Sequence, residues 1–193
     1  MEKLKVLTVV GTRPEIIRLS RVLARLDETI LMLAEAYGRK GDYANALVQV
    51  NKLRTRAAYK ANEERSPQIW QYMGGPATLA STDVANQATM ALFTTNAASE
   101  LYPASVTSTP SRFIHFMLNE RTRELCGEFY RWEDLVRTET IYDRTRLYNP
   151  DVTASFAPYH KLRPIPYLQM IAQTQNGKPM TAAEMAAYQN PGY

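Results

Sequence analysis

Acidic and basic side chains crowd one short stretch of this chain, where Glu120, Arg121, Arg123 and Glu124 are followed by Arg131, Glu133, Asp134 and Arg137. Two carboxylates a helical turn apart can serve as general acid and general base, provided that their surroundings drive the pKa values apart. Here every acid has a base at helical spacing: Glu120 with Arg123, Arg121 with Glu124, and Glu133 with Arg137. No nucleophile accompanies them. The stretch therefore reads as an ion-pair lattice, each exposed pair contributing about 0.2–0.5 kcal/mol, and no catalytic residue is assigned. Histidine is limited to His115 and His160 and cysteine to Cys126, so neither a Cys/His metal site nor a disulfide can be assembled. No metal and no cofactor are expected.

The elements that must position these groups are mainly helical. Leu4–Val10 is a β-branched run closed by Gly11, and Pro14 then opens an amphipathic segment, which together predict a strand, a loop and a helix. Helical periodicity continues from Asp27 through Tyr37, Gly38 and Gly41 loosen it, and a second helix follows from Tyr43 to about Ala58. The residue pattern Ala34, Tyr37, Gly41, Tyr43, Ala46 fits the helix-turn-helix unit of tetratricopeptide repeats, with Ala34, Ala36 and Ala46 small where the two axes approach. Such a hairpin is read as scaffold before it is read as a peptide-binding groove.

Residues 59–110 read as a long connecting segment with a turn at Gly74-Gly75-Pro76 and a helix over about Asp83–Phe93. Order returns at Ser111, a candidate cap for a helix carrying Phe113, Phe116, Met117, Leu118, Leu125 and Cys126. A short helix holds Trp132, Leu135 and Val136. The proline-punctuated remainder is predicted mostly extended or turned, with short helices at about Tyr167–Ala172 and Ala182–Tyr188. The closing Gln189-Asn190-Pro191-Gly192-Tyr193 dictates a turn that can tuck the last ring back onto the body.

Composition narrows the function. The chain has 193 residues, 45% hydrophobic and 22% charged, enough to bury a core. Its 23 basic and 19 acidic side chains are dispersed, so the net charge of +4 marks no nucleic-acid arm. No apolar run reaches the roughly 18 residues of a membrane-spanning helix. Val6–Val10 is too short for a signal-peptide core, and as read the chain itself would stay in the cytoplasm.

Several pieces in order resemble the carboxy-terminal part of the SusD/RagB family. They are Arg25 through Tyr37, Val50 through Ala57, Asn119-Glu120-Arg121 with Glu124-Leu125, Arg131-Trp132 with Asp134 through Arg137, Pro164-Ile165-Pro166, and the terminal Gln189 through Tyr193. The resemblance covers residues 25–193. It implies a mainly α fold built on a tetratricopeptide-like hairpin (27–58), followed by the connecting segment (59–110) and an irregular, loop-rich carboxy-terminal part (111–193). It also implies a non-catalytic protein that binds oligosaccharide or another nutrient at the bacterial cell surface. In that family, found in Bacteroidetes-type bacteria, a TonB-dependent outer-membrane transporter of the SusC type is the partner. No binding residue is carried over from the family. If this segment binds sugars, the rings to test are Trp70, Tyr72 and Tyr102, against the alternative that they cover the helical body.

Residues 1–24 point elsewhere. Val6-Leu7-Thr8-Val9-Val10-Gly11-Thr12-Arg13-Pro14-Glu15 resembles the first strand and loop of non-hydrolysing UDP-N-acetylglucosamine 2-epimerases. That resemblance implies a phosphate-approaching loop at Gly11, Arg13 and Glu15, vestigial here because such an enzyme needs two Rossmann-like domains with later acidic and histidine residues, whereas this chain runs straight into the other family. The expectation is a strand-loop-helix appendage fused to a fragment of the other family, without epimerase activity. An epimerase fragment and a tetratricopeptide-like interaction scaffold are the competing readings.

Overall fold

A computed structural model of the chain describes residues 13–57 and 87–193. The strand expected over Leu4–Val10 and the turn at Gly74–Pro76 lie outside the described residues. The fold is mainly α, with one two-stranded sheet among the described residues. The chain divides into two compact units, Met1–Arg131 and Trp132–Tyr193.

The first unit is built on helix α1 (Arg13–Arg39) and helix α2 (Tyr43–Ala57). Helix α1 runs unbroken through the boundary placed at residues 24 and 25. The reversal between the helices falls at Gly41, whose φ of +82° is a left-handed conformation that favours glycine. Asp42 then caps α2 by accepting from the Asn45 N–H at 3.1 Å. Ala34 and Ala46 are fully buried, as close helix approach requires, whereas Ala36 faces solvent and takes no part. Gly38 does not loosen the helix either: it stays helical, and a Cβ there would lie 2.0 Å from the Phe113 ring. The glycine is a seat for an aromatic side chain.

That ring arrives on helix α4 (Thr109–Glu124), which packs against α1, while the short helix α3 (Ala91–Thr94) packs against α4. Phe93, Phe113 and Phe116 are each almost wholly buried, with centroids 5.2–6.1 Å apart, and Tyr43 lies 5.2 Å from both Phe93 and Phe113. Each phenylalanine contributes about 1.5–3 kcal/mol through burial alone. The cap of α4 is Ser108, which accepts from the Ser111 N–H at 3.3 Å, so the capping residue is three positions earlier than expected. Cys126 lies beyond the helix and is exposed. The helix expected over Asp83–Phe93 is confined, among the described residues, to Ala91–Thr94. The Asn51 amide occupies both backbone groups of Ala88, accepting its N–H at 2.7 Å and donating to its carbonyl at 3.0 Å. Those are the groups that a helical ladder there would need.

The second unit has smaller parts. Helix α5 (Arg131–Arg137) enters it, followed by α6 (Ile141–Tyr148), 3₁₀ turns at Pro150–Val152 and Pro158–Lys161, and α7 (Tyr167–Ile171). Strands β1 (Thr174–Gln175) and β2 (Lys178–Pro179) pair antiparallel, and α8 (Ala182–Tyr188) packs against α7. Helix α6 interrupts a stretch expected to be extended. The strand pair was likewise not foreseen, and it is closed by Asn176 and Gly177, at φ +53° and +74°.

Pro164 and Pro166 have no N–H, so the backbone around Ile165 cannot join a regular ladder. Side chains of the closing turn take its place. Gln189 accepts the Ile165 N–H at 2.6 Å and donates to its carbonyl at 3.0 Å, Asn190 donates to the Arg163 carbonyl at 2.6 Å, and the Tyr193 hydroxyl donates to the Leu162 carbonyl at 2.8 Å. Gly192, at φ +96°, lies so close to the Tyr159 ring that a Cβ would fall 2.4 Å from it. The last ring is tucked back, an arrangement that the Asn-Pro-Gly turn permits.

Candidate functional site

The charged stretch is the first place to look for chemistry, because buried titratable groups with displaced pKa values mark many active sites. Its pairs form between helices more than along them. Glu120, nearly buried on α4, meets Arg54 of α2, with the guanidinium Nε donating at 3.1 Å, and also Arg123. Arg56 of α2 donates to both oxygens of Asp27 on α1, at 2.6 and 2.7 Å, and to Glu124 of α4. Arg121 reaches Glu28 at 3.3 Å, and Arg123 reaches Glu100 at 3.4 Å. Of the expected pairs, Glu120 with Arg123 forms; in addition Arg121 reaches Glu28, Glu124 meets Arg56, and Arg137 meets Asp134 at 3.1 Å. Pairs along one helix and pairs between helices thus share the same carboxylates, as Glu120 does with Arg123 and Arg54.

Burial pushes the Glu124 carboxyl above the usual carboxylate range, with Asp27 adding to the push against the attraction of Arg56. Burial also works against the Arg56 charge, yet Asp27 and Glu124 hold that guanidinium protonated more firmly than usual. Arg123 is held likewise, against burial, by Glu120 and Glu100. The lattice thus spends its carboxylates on binding α1, α2 and α4 together. Among the described residues no group of His, Cys, Asp and Glu is placed to hold a metal ion.

The ring positions proposed for sugar stacking divide in two. Trp70 and Tyr72 lie outside the described residues. Tyr102 is described and buried, 8% exposed, with its hydroxyl donating to the Leu92 carbonyl at 2.7 Å. It belongs to the core of the first unit and presents no free face, because the chain that follows α3 folds back over that core. Of the loop read as vestigially nucleotide-binding, Gly11 lies outside the described residues, while Arg13 opens α1 and Glu15 sits in its first turn. The backbone at Arg13 is therefore helix from the start and not an open loop.

Exposed rings occur where the sequence reading did not place them. Phe129 is 92% exposed, and in the second unit Tyr167 and Leu168 are 64% and 75% exposed on one turn of α7. Tyr188 at the end of α8 and the terminal Tyr193 are also exposed. Tyr193 stands edge-to-face with Tyr159 at 5.2 Å, and Arg163 lies over the Trp132 ring at 4.9 Å. Tyrosine combines an apolar face with a polar tip and so suits ligands that are part hydrocarbon and part hydroxyl. The signal available in the sequence was the pair Tyr167-Leu168 directly after two prolines, where a one-turn helix cannot bury both.

Comparison with known proteins supplies the remaining finding. A family model described as the SusD family matches residues 11–193. No match was found among curated proteins or among solved structures. The match takes in Gly11, Arg13 and Glu15, so from residue 11 onward the segment read as an epimerase appendage falls inside it, and the epimerase resemblance gains no support.

Proposed function

The chain belongs to the SusD family, and we propose that it captures an oligosaccharide or similar nutrient at a bacterial outer membrane, for delivery to a TonB-dependent transporter of the SusC type. The family match across residues 11–193 carries this reading. Proteins of this family bind their ligand without transforming it, and the ion-paired state of Asp27, Glu120 and Glu124 fits that role. No helix among the described residues is long and apolar enough to cross a membrane.

Calorimetric titration with a panel of oligosaccharides tests the reading, with UDP-N-acetylglucosamine as the contrast. The expected result is saturable heat with at least one glycan and none with the nucleotide sugar. Binding of the nucleotide sugar alone would overturn it. Co-purification with a SusC-type barrel tests the partner.

A further inference from the structure

We infer that the segment from α7 through the β1–β2 turn holds a subsite for a neutral sugar, with Tyr167 as its stacking ring and Gln173, Gln175 and Asn176 as its hydrogen-bonding groups. The inference rests on the capture reading and adds the ligand class and the place.

The first observation is charge. Although 22% of the chain is charged, no charged residue occurs from Pro164 to Gly177, and from there to Tyr193 only Lys178 and Glu184 are charged. Glu184 is already engaged: Thr181 donates to it from its N–H at 2.7 Å and from its hydroxyl at 2.8 Å, closing the cap of α8. An exposed surface of ordinary composition would carry several charges here. Recognition of an anionic glycan would call for arginine or lysine aimed at the ligand, since charge-assisted bonds are what select carboxylates and sulfates. A neutral sugar calls for the opposite set: an aromatic face for its C–H groups, and amides that donate and accept for its hydroxyls.

The second observation separates the amides by use. Gln189 and Asn190 are occupied with the backbone of Arg163 and Ile165. The side-chain amides of Gln173, Gln175 and Asn176 are exposed and bond no other described residue, and the same holds for the Tyr167 hydroxyl. Their donors and acceptors face water. The third observation is rigidity, which lowers the entropic cost of binding. Met170 is buried beneath α7, Gln189 pins the backbone just before it, and the Asn176-Gly177 turn fixes the hairpin after it. The open groups thus stand on a fixed frame.

The experiment uses the full chain, with calorimetry on neutral oligosaccharides and on uronate-containing ones. Tyr167→Ala is expected to weaken neutral-glycan binding about tenfold, the worth of one ring contact. Tyr167→Phe, which keeps the ring, is expected to stay within about threefold, and Gln175→Ala to fall between the two. Because Tyr167 is mostly exposed, unchanged thermal melts should accompany these losses. Neutral-glycan affinity untouched by Tyr167→Ala and Gln175→Ala overturns the subsite while the capture reading stands. Binding confined to uronate-containing glycans overturns the ligand class. If Tyr167→Ala spares sugar affinity but abolishes co-purification of the transporter, the surface docks protein and the inference is wrong. Absence of binding to any glycan removes the capture reading, and the subsite with it.

Discussion

The two units of this chain hold themselves together by different means. In the first, Leu31, Ala34, Ala46, Val50, Phe93 and Phe116 are wholly buried, and ion pairs cross-link three helices around that core. In the second, the buried apolar side chains among Trp132–Tyr193 are Leu135, Ile141 and Met170, and none is completely enclosed. Its order comes instead from side chains that bond backbone, as Gln189, Asn190 and Tyr193 do to the Leu162–Ile165 stretch. A segment with few apolar residues can be fixed in this way because each bond satisfies a backbone group that proline has left without a ladder. It also leaves rings at the surface, since little core is available to receive them.

The largest expected effect comes from removing the centre of the first unit. Phe113→Ala should lower its stability by about 3–5 kcal/mol in chemical denaturation, because it opens a cavity between the Gly38 backbone and the rings of Tyr43, Phe93 and Phe116. A loss below about 1 kcal/mol would break the contrast between a packed unit and a clasped one. Next, Arg54→Ala should cost about 2 kcal/mol, less than the roughly 3–5 kcal/mol for orphaning a buried charge, since Glu120 keeps Arg123. A double-mutant cycle with Glu120→Gln measures the coupling.

In the second unit, Gln189→Ala should cost about 1–2 kcal/mol by leaving both backbone groups of Ile165 without their partner. Faster hydrogen exchange at the Ile165 amide reports it directly. An unchanged rate there would show that the clasp is incidental.

Smaller effects depend on pH. The Glu124 carboxyl titrates higher folded than unfolded, so its favourable contribution is intact below the unfolded pKa and is lost as pH rises through the folded one. The melting temperature of Glu124→Gln relative to the native chain should therefore shift in the variant's favour as pH rises from about 4 to about 7. Asp42 behaves oppositely. The side-chain and backbone bonds from Asn45 hold it below the usual range, so its contribution is present above the unfolded pKa and fades as pH falls through the folded one. Asp42→Ala should give the smallest drop in melting temperature, visible at neutral pH and absent in strong acid.

Much of the fold was legible in the residues. The hairpin over 27–58, α5, α7, α8 and the tucked terminal turn followed from apolar spacing, from Gly41, and from the Asn-Pro-Gly ending. Helix α6 was not, because prolines nearby suggested extended chain although none lies within Ile141–Tyr148. The β1–β2 turn carried its Asn-Gly signal, but strands of two residues show no alternation to accompany it. For the candidate site the reading was weaker. Tyr102 has the composition of a sugar-stacking ring, yet a tyrosine serves a core equally well when a carbonyl such as that of Leu92 accepts its hydroxyl bond.

By itself the sequence determined that the chain is mainly helical, that the first helical hairpin reverses at Gly41, and that its carboxy-terminal thirty or so residues carry almost no charge. These are local properties, set by side-chain size, backbone sterics and composition. Only the tertiary structure decided which charges pair, that Gly38 seats Phe113, and that Tyr102 is enclosed while Tyr167 stands open. Pairing and enclosure depend on which distant segment arrives against a residue, and spacing along the chain does not encode that arrival.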